Sequence, residues 1–130
     1  MHHVSTEGSS CLIEMRTIDS YALHPSIMKI DVEGYEGAVL AGANETAGRP
    51  ELVAILTENN EESIKYGDGI ESISCFMSEH SFTAVTYNPW LRTVTAKNNR
   101  SDNTLYIRDI EKVKQRVAEA EPFRVLGRSI

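Results

Sequence analysis

The sequence predicts an α/β fold, in which strands and helices alternate along the chain. Two short segments, Ser26–Val32 and Glu51–Leu56, carry apolar residues on both faces. This pattern is typical of strands in a parallel sheet that helices cover on both sides. Between them, Glu36–Ala43 has the composition and apolar spacing of a helix. Residues 26–56 therefore predict a right-handed strand–helix–strand crossover.

The rest of the chain continues this alternation, with apolar stripes at helical spacing and short apolar runs between them. Residues 1–10 predict a loose lead-in, residues 11–120 the folded domain, and residues 121–130 a tail. Residues 88–103 predict a long connection or a weak hairpin. The further predicted elements are a strand at Leu12–Arg16, a helix at Ile18–Leu23, a helix from Ile70 to about His80, strands at Phe82–Tyr87 and Thr104–Arg108, and a helix from Asp109 to about Ala120.

Length and charge narrow the classes of protein. The chain has 130 residues, which is the usual size of one domain. Its 13 basic and 19 acidic residues give a net charge of −6, which argues against binding to nucleic acid. Its apolar runs are too short to predict a membrane span. Two cysteines without metal-ligand spacing, and a start without a signal-peptide pattern, predict a cytoplasmic protein.

Acidic side chains follow both strands of the predicted crossover. Asp31 and Glu33 end the first strand, and a spacing of two directs both carboxylates to the same side. Glu58 and Asn59 follow the second strand, whose end lies about 5 Å away if the two strands are parallel. Such a group could accept a proton from a hydroxyl, hold a divalent cation, or grip sugar or amine donors. The alternative is a set of solvated loop acids, and Glu36 fits the negative charge favoured at a helix N-terminus.

Part of this region has a familiar wording. The chain reads IMKIDVEGYE at Ile27–Glu36 and VLAGA at Val39–Ala43. These segments resemble the signature of the FkbM-family methyltransferases, a strand reading roughly I-K-I-D-V-E-G-x-E and a helix reading V-L-x-G-A. The resemblance spans about residues 15–108, and the flanking segments that support it are Thr17–Asp19, Arg49–Glu58 and Asn103–Ile107.

The resemblance implies a class I, Rossmann-like fold that binds S-adenosylmethionine, with strand order 3-2-1-4-5-7-6 and only strand 7 antiparallel. The segments that resemble family strands 4, 5, 6 and 7 are Ser26–Val32, Glu51–Thr57, Phe82–Tyr87 and Thr104–Arg108. The first 25 residues contain no strand–Gly-x-Gly–helix, the family's cradle for the cofactor. The chain therefore resembles the C-terminal half of such an enzyme, with strands in the order 4-5-7-6, and its cofactor-binding residues stay unassigned.

The function that the resemblance implies is transfer of a methyl group from S-adenosylmethionine to a hydroxyl of a sugar, lipid or polyketide-like acceptor. Asp31 and Glu33 would be catalytic, with Asp31 as base or orienting group, and Glu58 and Asn59 would hold the acceptor. A divalent metal held by Asp31, Glu33 and Glu58 is a further expectation. Two alternatives stay open: a non-catalytic remnant or interaction module, and an unrelated metal-dependent enzyme that uses the same three carboxylates.

A half-fold of this kind has an uncovered edge. Without a family strand 1, Ser26–Val32 becomes an edge strand with unpaired N–H and C=O groups. The sequence therefore predicts self-association through this edge, or docking of Leu12–Arg16 onto it.

Overall fold

The fold is built on one mixed sheet, which five strands form in the part of the chain described by the computed structural model: residues 4–6, 9–11, 13–58, 70–97 and 103–129. Two strands near the N-terminus, β1 (Val4–Thr6) and β2 (Ser9–Cys11), pair separately as a hairpin. The strands of the five-stranded sheet are β3 (Ile27–Ile30), β4 (Ala54–Glu58), β5 (Phe82–Asn88), β6 (Thr93–Ala96) and β7 (Asn103–Arg108).

The sheet has the order β3-β4-β7-β5-β6. β3 and β4 are parallel, whereas β7 runs antiparallel to both of its neighbours, β4 and β5. The first four strands thus have the order and directions expected for strands 4-5-7-6. The sequence pattern predicts the alternating α/β architecture correctly, and β6 is an additional edge strand that pairs with β5.

Helices lie on both faces of the sheet. α1 (Glu36–Ala41), α2 (Asn44–Gly48) and α3 (Ile70–Glu79) belong to the connections that precede β4 and β5, and α4 (Ile110–Glu119) follows β7. Neighbouring strand residues face opposite sides, so Ile55 and Ala54 belong to different apolar clusters. The first cluster joins the sheet to α1 and α3, and includes Ile30, Leu40, Ile55, Ile73, Met77 and Tyr106. The second includes Ala54, Val85, Val94 and Ile107, against which Val113 and Val117 of α4 pack.

The ends of α4 are fixed by side chains from its own start and from the β5–β6 turn. Asp109, in the left-handed region at φ 54°, accepts a hydrogen bond from the backbone N–H of Lys112 at 3.1 Å. The Arg92 guanidinium donates to the carbonyls of Val117 and Ala120 at the other end. These carbonyls lack intrahelical partners, so a cation there is favourable. None of the helices in the described part of the chain has the length and apolarity needed to cross a bilayer.

Two predicted elements near the N-terminus differ from the structure. Leu12 lies outside the described residues, and residues 13–16 form no strand. Ile13 and Met15 are exposed there, and Glu14 pairs with Arg16 at 2.7 Å, so this segment has no sheet to join. The expected helix at Ile18–Leu23 is reduced to a 3₁₀ turn at Asp19–Tyr21, because Ala22 adopts a left-handed conformation and ends it.

Further along the chain, helices and strands have shifted boundaries. The Glu36–Ala43 helix divides at Gly42 into α1 and α2. Thr17 crosses over Gly42 so closely that a Cβ there would stand 3.3 Å from its side chain. The tail carries a small hairpin, β8 (Arg124–Val125) and β9 (Arg128–Ser129).

Candidate functional site

The register between β3 and β4 brings two acidic side chains together. Ile30 lies beside Thr57, so the next position on each strand puts Asp31 beside Glu58. Both strands run in the same direction, and both carboxylates therefore lie at the carboxyl ends of the strands. In open α/β sheets this is the edge at which ligands bind.

A tight turn adds a third carboxylate. After Asp31 the chain turns through Val32–Tyr35, where the Tyr35 N–H donates to the Val32 carbonyl at 3.3 Å. Glu33 lies in the left-handed region, at φ 51°, and the following Gly34 at φ 101°. A left-handed conformation costs a residue with a side chain roughly 1–2 kcal/mol, so the surrounding structure must hold Glu33 in place.

Buried Glu36 provides that support. It is the first residue of α1 and is fully buried. Its Oε1 accepts the backbone N–H groups of Val32 at 3.2 Å and Gly34 at 3.3 Å. Glu36 thus acts from the helix N-terminus, as expected, but it also fixes the turn that carries Glu33.

The three acids form a compact group. One carboxylate oxygen from each of Asp31, Glu33 and Glu58 lies within 4.8 Å of the others. Asp31 and Glu33 are exposed, and Glu58 is half-buried. The structure therefore brings together three of the four site residues that the sequence predicts. The fourth, Asn59, lies outside the described residues.

A lysine shares this group and divides the roles of the acids. Lys29 Nζ donates to Asp31 Oδ2 at 2.8 Å, and this hydrogen bond, together with the positive charge, lowers the pKa of Asp31. The pKa of Glu58 is raised, first by partial burial and then by its hydrogen bond with Asp31 and the nearby negative charges of Asp31, Glu33 and Glu36. Asp31 is thus the group that keeps its charge, and Glu58 is the group that more readily holds a proton.

This arrangement supports two kinds of chemistry. A carboxylate with a raised pKa is the better proton acceptor near neutral pH. Three carboxylates at this spacing also match the oxygen ligands that magnesium, manganese and calcium prefer. Lys29 would compete with such an ion for the Asp31 oxygen, because both bind the same lone pairs.

A second concave region lies elsewhere on the sheet. A groove with a volume of about 480 Å³ runs between α4 and the sheet, and its lining includes Ile27, Ala54, Val85, Ile107, Val117 and Phe123. It opens over Ala54, at the opposite end of β4 from Glu58. Four residues of strand separate the two positions by about 13 Å. The groove is therefore a feature separate from the acidic group.

Two residues that organise this region carry no signal in the sequence pattern. Asp19 accepts hydrogen bonds from α2, and Arg108 donates to carbonyls from three separate segments. Comparison of the chain with protein-family models, with curated protein sequences and with solved structures gives no match.

Proposed function

We propose that this chain carries the acceptor side of an FkbM-like, S-adenosylmethionine-dependent O-methyltransferase of the cytoplasm. The observation that supports this most strongly is the meeting of Asp31, Glu33 and Glu58 at the carboxyl ends of two adjacent parallel strands. The strand order of the sheet agrees with the order that the resemblance implies. Because one fold serves many functions, the acidic site carries more weight than the sheet.

The proposal gives this chain the acceptor and leaves the cofactor to other residues. The described residues offer no glycine-rich loop between a strand and a helix at the carboxyl edge of β3 or β4, where the turn after β3 is instead built around Glu33 and Glu36. S-adenosylmethionine would supply a methyl group on a sulfonium. The residues of this chain would bind the acceptor hydroxyl and take up its proton.

In this mechanism Glu58 is the proton acceptor and Asp31 the orienting group. Oxygen becomes a better nucleophile as its proton leaves, and Glu58, with its raised pKa, is suited to take that proton. Asp31 stays charged beside Lys29 and accepts a hydrogen bond from Glu58 once that residue is protonated. Glu33 faces the same space and would hold a second hydroxyl of a small-molecule or glycan acceptor. This assignment moves the role of base from Asp31, which the sequence favours, to Glu58.

A divalent cation is compatible with the same proposal. Magnesium or manganese held by Asp31, Glu33 and Glu58 would polarise an acceptor oxygen and favour loss of its proton. The thermal stability of the chain would then rise on addition of either ion, and replacing Glu33 by Gln would abolish that rise.

A chimeric enzyme tests the proposal. The cofactor-binding half of an FkbM-family methyltransferase is joined ahead of Ser26, and transfer of labelled methyl groups to hydroxyl acceptors is measured. Glu58→Gln is expected to lower turnover by about 10²–10⁴-fold while leaving S-adenosylmethionine binding intact, because it removes a proton acceptor. Asp31→Asn is expected to lower turnover too. Glu111→Gln, an exposed acid on α4, is the matched control.

Two results would contradict the proposal. A chimera that binds S-adenosylmethionine in calorimetric titration, but transfers no methyl group to any hydroxyl acceptor, would favour an interaction module without catalysis. The exposed edge of β3 supports that alternative, since β3 pairs only with β4 among the described residues. Turnover that survives both Asp31→Asn and Glu58→Gln would remove the acidic group from the mechanism.

A further inference from the structure

β3 has one open edge, and its backbone groups can be assigned to that edge. The Arg108 N–H donates to the Val53 carbonyl, which directs the odd-numbered residues of β4 toward β7 and the even-numbered ones toward β3. In the parallel register, Met28 and Ile30 then bond to β4. The N–H and C=O groups of Ile27, Lys29 and Asp31 consequently point away from the sheet, and no strand in the described part of the chain pairs with them.

The side chains along this edge are apolar except for one pair of opposite charges. Ile27 is 66% exposed, Val32 is 36% exposed and Met28 is half-buried. Lys29 and Asp31 are exposed and lie two residues apart on the same face. An edge that protects itself by charge usually presents lysine alone. Here each charge is accompanied by its opposite, so the edge is complementary to a second copy of itself.

We propose that two copies of this chain associate through β3 in an antiparallel pair centred on Ile30. In this register Lys29 lies opposite Asp31 of the second copy, and Asp31 opposite the second Lys29. These are the positions whose backbone groups point outward, so each pair also exchanges two backbone hydrogen bonds. Met28 lies opposite Val32 on the other face, where their side chains bury each other.

The charges select this register over its neighbours. A two-fold axis perpendicular to the sheet pairs residues that share a face, so the pairing can shift only in steps that move its centre by one residue. A pair centred on Lys29 would set two lysines directly opposite each other, which is unfavourable. A pair centred on Met28 would put Lys29 opposite Ile27 and leave Asp31 without a partner charge across the axis.

A charge-swap experiment tests the pairing by oligomeric state, a readout independent of methyl transfer. The wild-type chain is expected to show a concentration-dependent dimer in sedimentation equilibrium. Lys29→Glu sets glutamate against aspartate twice, and Asp31→Lys sets lysine against lysine twice, so each variant alone is expected to weaken dimerisation by about tenfold or more. An equimolar mixture of the two variants restores opposite charges at both positions and is expected to dimerise.

Controls separate the pairing from general effects of charge or folding. Lys114→Glu makes the same charge change on α4, in an exposed ion pair with Glu111, and should leave the dimer unchanged. Circular dichroism checks that each variant is folded. Amide exchange should show protection of Ile27, Lys29 and Asp31 in the wild type and loss of it in Lys29→Glu. A monomeric wild type, a Lys29→Glu variant that dimerises as the wild type does, or a mixture that stays monomeric would each overturn the proposal.

Discussion

Asp19 joins two parts of the chain that lie far apart in the sequence. Its carboxylate accepts hydrogen bonds from the backbone N–H groups of Glu45 at 2.9 Å and Thr46 at 2.8 Å, and from the Thr46 hydroxyl at 2.7 Å. Burial raises the pKa of Asp19, but these hydrogen bonds and the charge of Arg49 lower it overall. Asp19 therefore caps the start of α2 in the way that a local cap residue would.

Removing this cap is expected to destabilise the protein in a pH-dependent way. Asp19→Ala should lower the free energy of unfolding by about 1–2 kcal/mol near neutral pH. Because the folded pKa of Asp19 lies below its ordinary value of 3.8, the charge-dependent part of the stabilisation is complete above that value. It is lost as the pH falls through the folded pKa. Urea unfolding of wild type and variant should therefore differ less in acid, and Glu51→Ala, an exposed acid, is the control. A constant difference across pH would contradict the role of the charge.

Tyr106 presents the opposite case, a buried polar atom that gains nothing from its surroundings. Its ring belongs to the first apolar cluster, and its hydroxyl is buried without a hydrogen-bond partner among the described residues. Such a group costs about 1–3 kcal/mol of desolvation. Tyr106→Phe is therefore expected to leave the free energy of unfolding unchanged or to raise it by about 1 kcal/mol. A loss of more than about 1 kcal/mol in urea unfolding would indicate a partner for this hydroxyl.

At this scale the sequence predicts the acids better than it predicts what organises them. Asp31 and Glu33 stand out because a strand with apolar residues on both faces ends in acids, and Glu58 ends the next such strand. Asp19 and Arg108 do not stand out. Their partners are backbone groups, which no residue type in the sequence reveals, and they lie 26 or more positions away.

Arg108 connects the end of β7 to two helices. Its guanidinium donates to the carbonyls of Arg49 at 2.6 Å and His80 at 3.0 Å, and also to that of Ala47. The carbon of the guanidinium lies 4.5 Å from the centre of the Phe82 ring. These carbonyls stand just after or at the ends of α2 and α3, where helices lack internal donors. One side chain thus fixes the ends of two helices against the sheet.

A lysine cannot replace this fork. Arg108→Lys keeps the charge but has a single nitrogen, so it cannot reach three carbonyls at once. We expect the free energy of unfolding to fall by about 2–3 kcal/mol in urea or thermal unfolding. Arg116→Lys, at an exposed position on α4, is the matched control and should change stability by less than about 0.5 kcal/mol. Equal stability of the Arg108→Lys variant and wild type would remove Arg108 from this structural role.

The sequence predicts the elements through their apolar spacing and misses their limits where backbone contacts decide. β5, β7, α3 and α4 differ from their predicted bounds by one residue or a few. β3 is shorter than Ser26–Val32, because its chain leaves the sheet for the turn that Glu36 holds. β6 is predicted only as a weak hairpin, because its single buried residue, Val94, gives a short apolar signal.

For the molecule as a whole, the sheet order follows from elements whose type the sequence predicts, and the resemblance supplies the order itself. What neither supplies is the register that brings Asp31 beside Glu58, because a shift of one residue would look the same in the sequence. The groove beside α4 is also beyond prediction. It depends on how much of the sheet one helix covers, and α4 packs over β7, β5 and β6 more than over β3.

The position of each strand in the sheet predicts how the molecule opens. β4 and β7 are paired on both sides, and Thr57 and Thr104 within them are fully buried. β6 is paired on one side, and only Val94 within it is buried. Amide groups of β4 and β7 are therefore expected to exchange with solvent only through global unfolding, whereas β6 opens at lower free energy. Hydrogen–deuterium exchange by NMR, over increasing urea, measures both. Protection of the outward amides of β6 that equals that of β4 would show that another segment covers this edge.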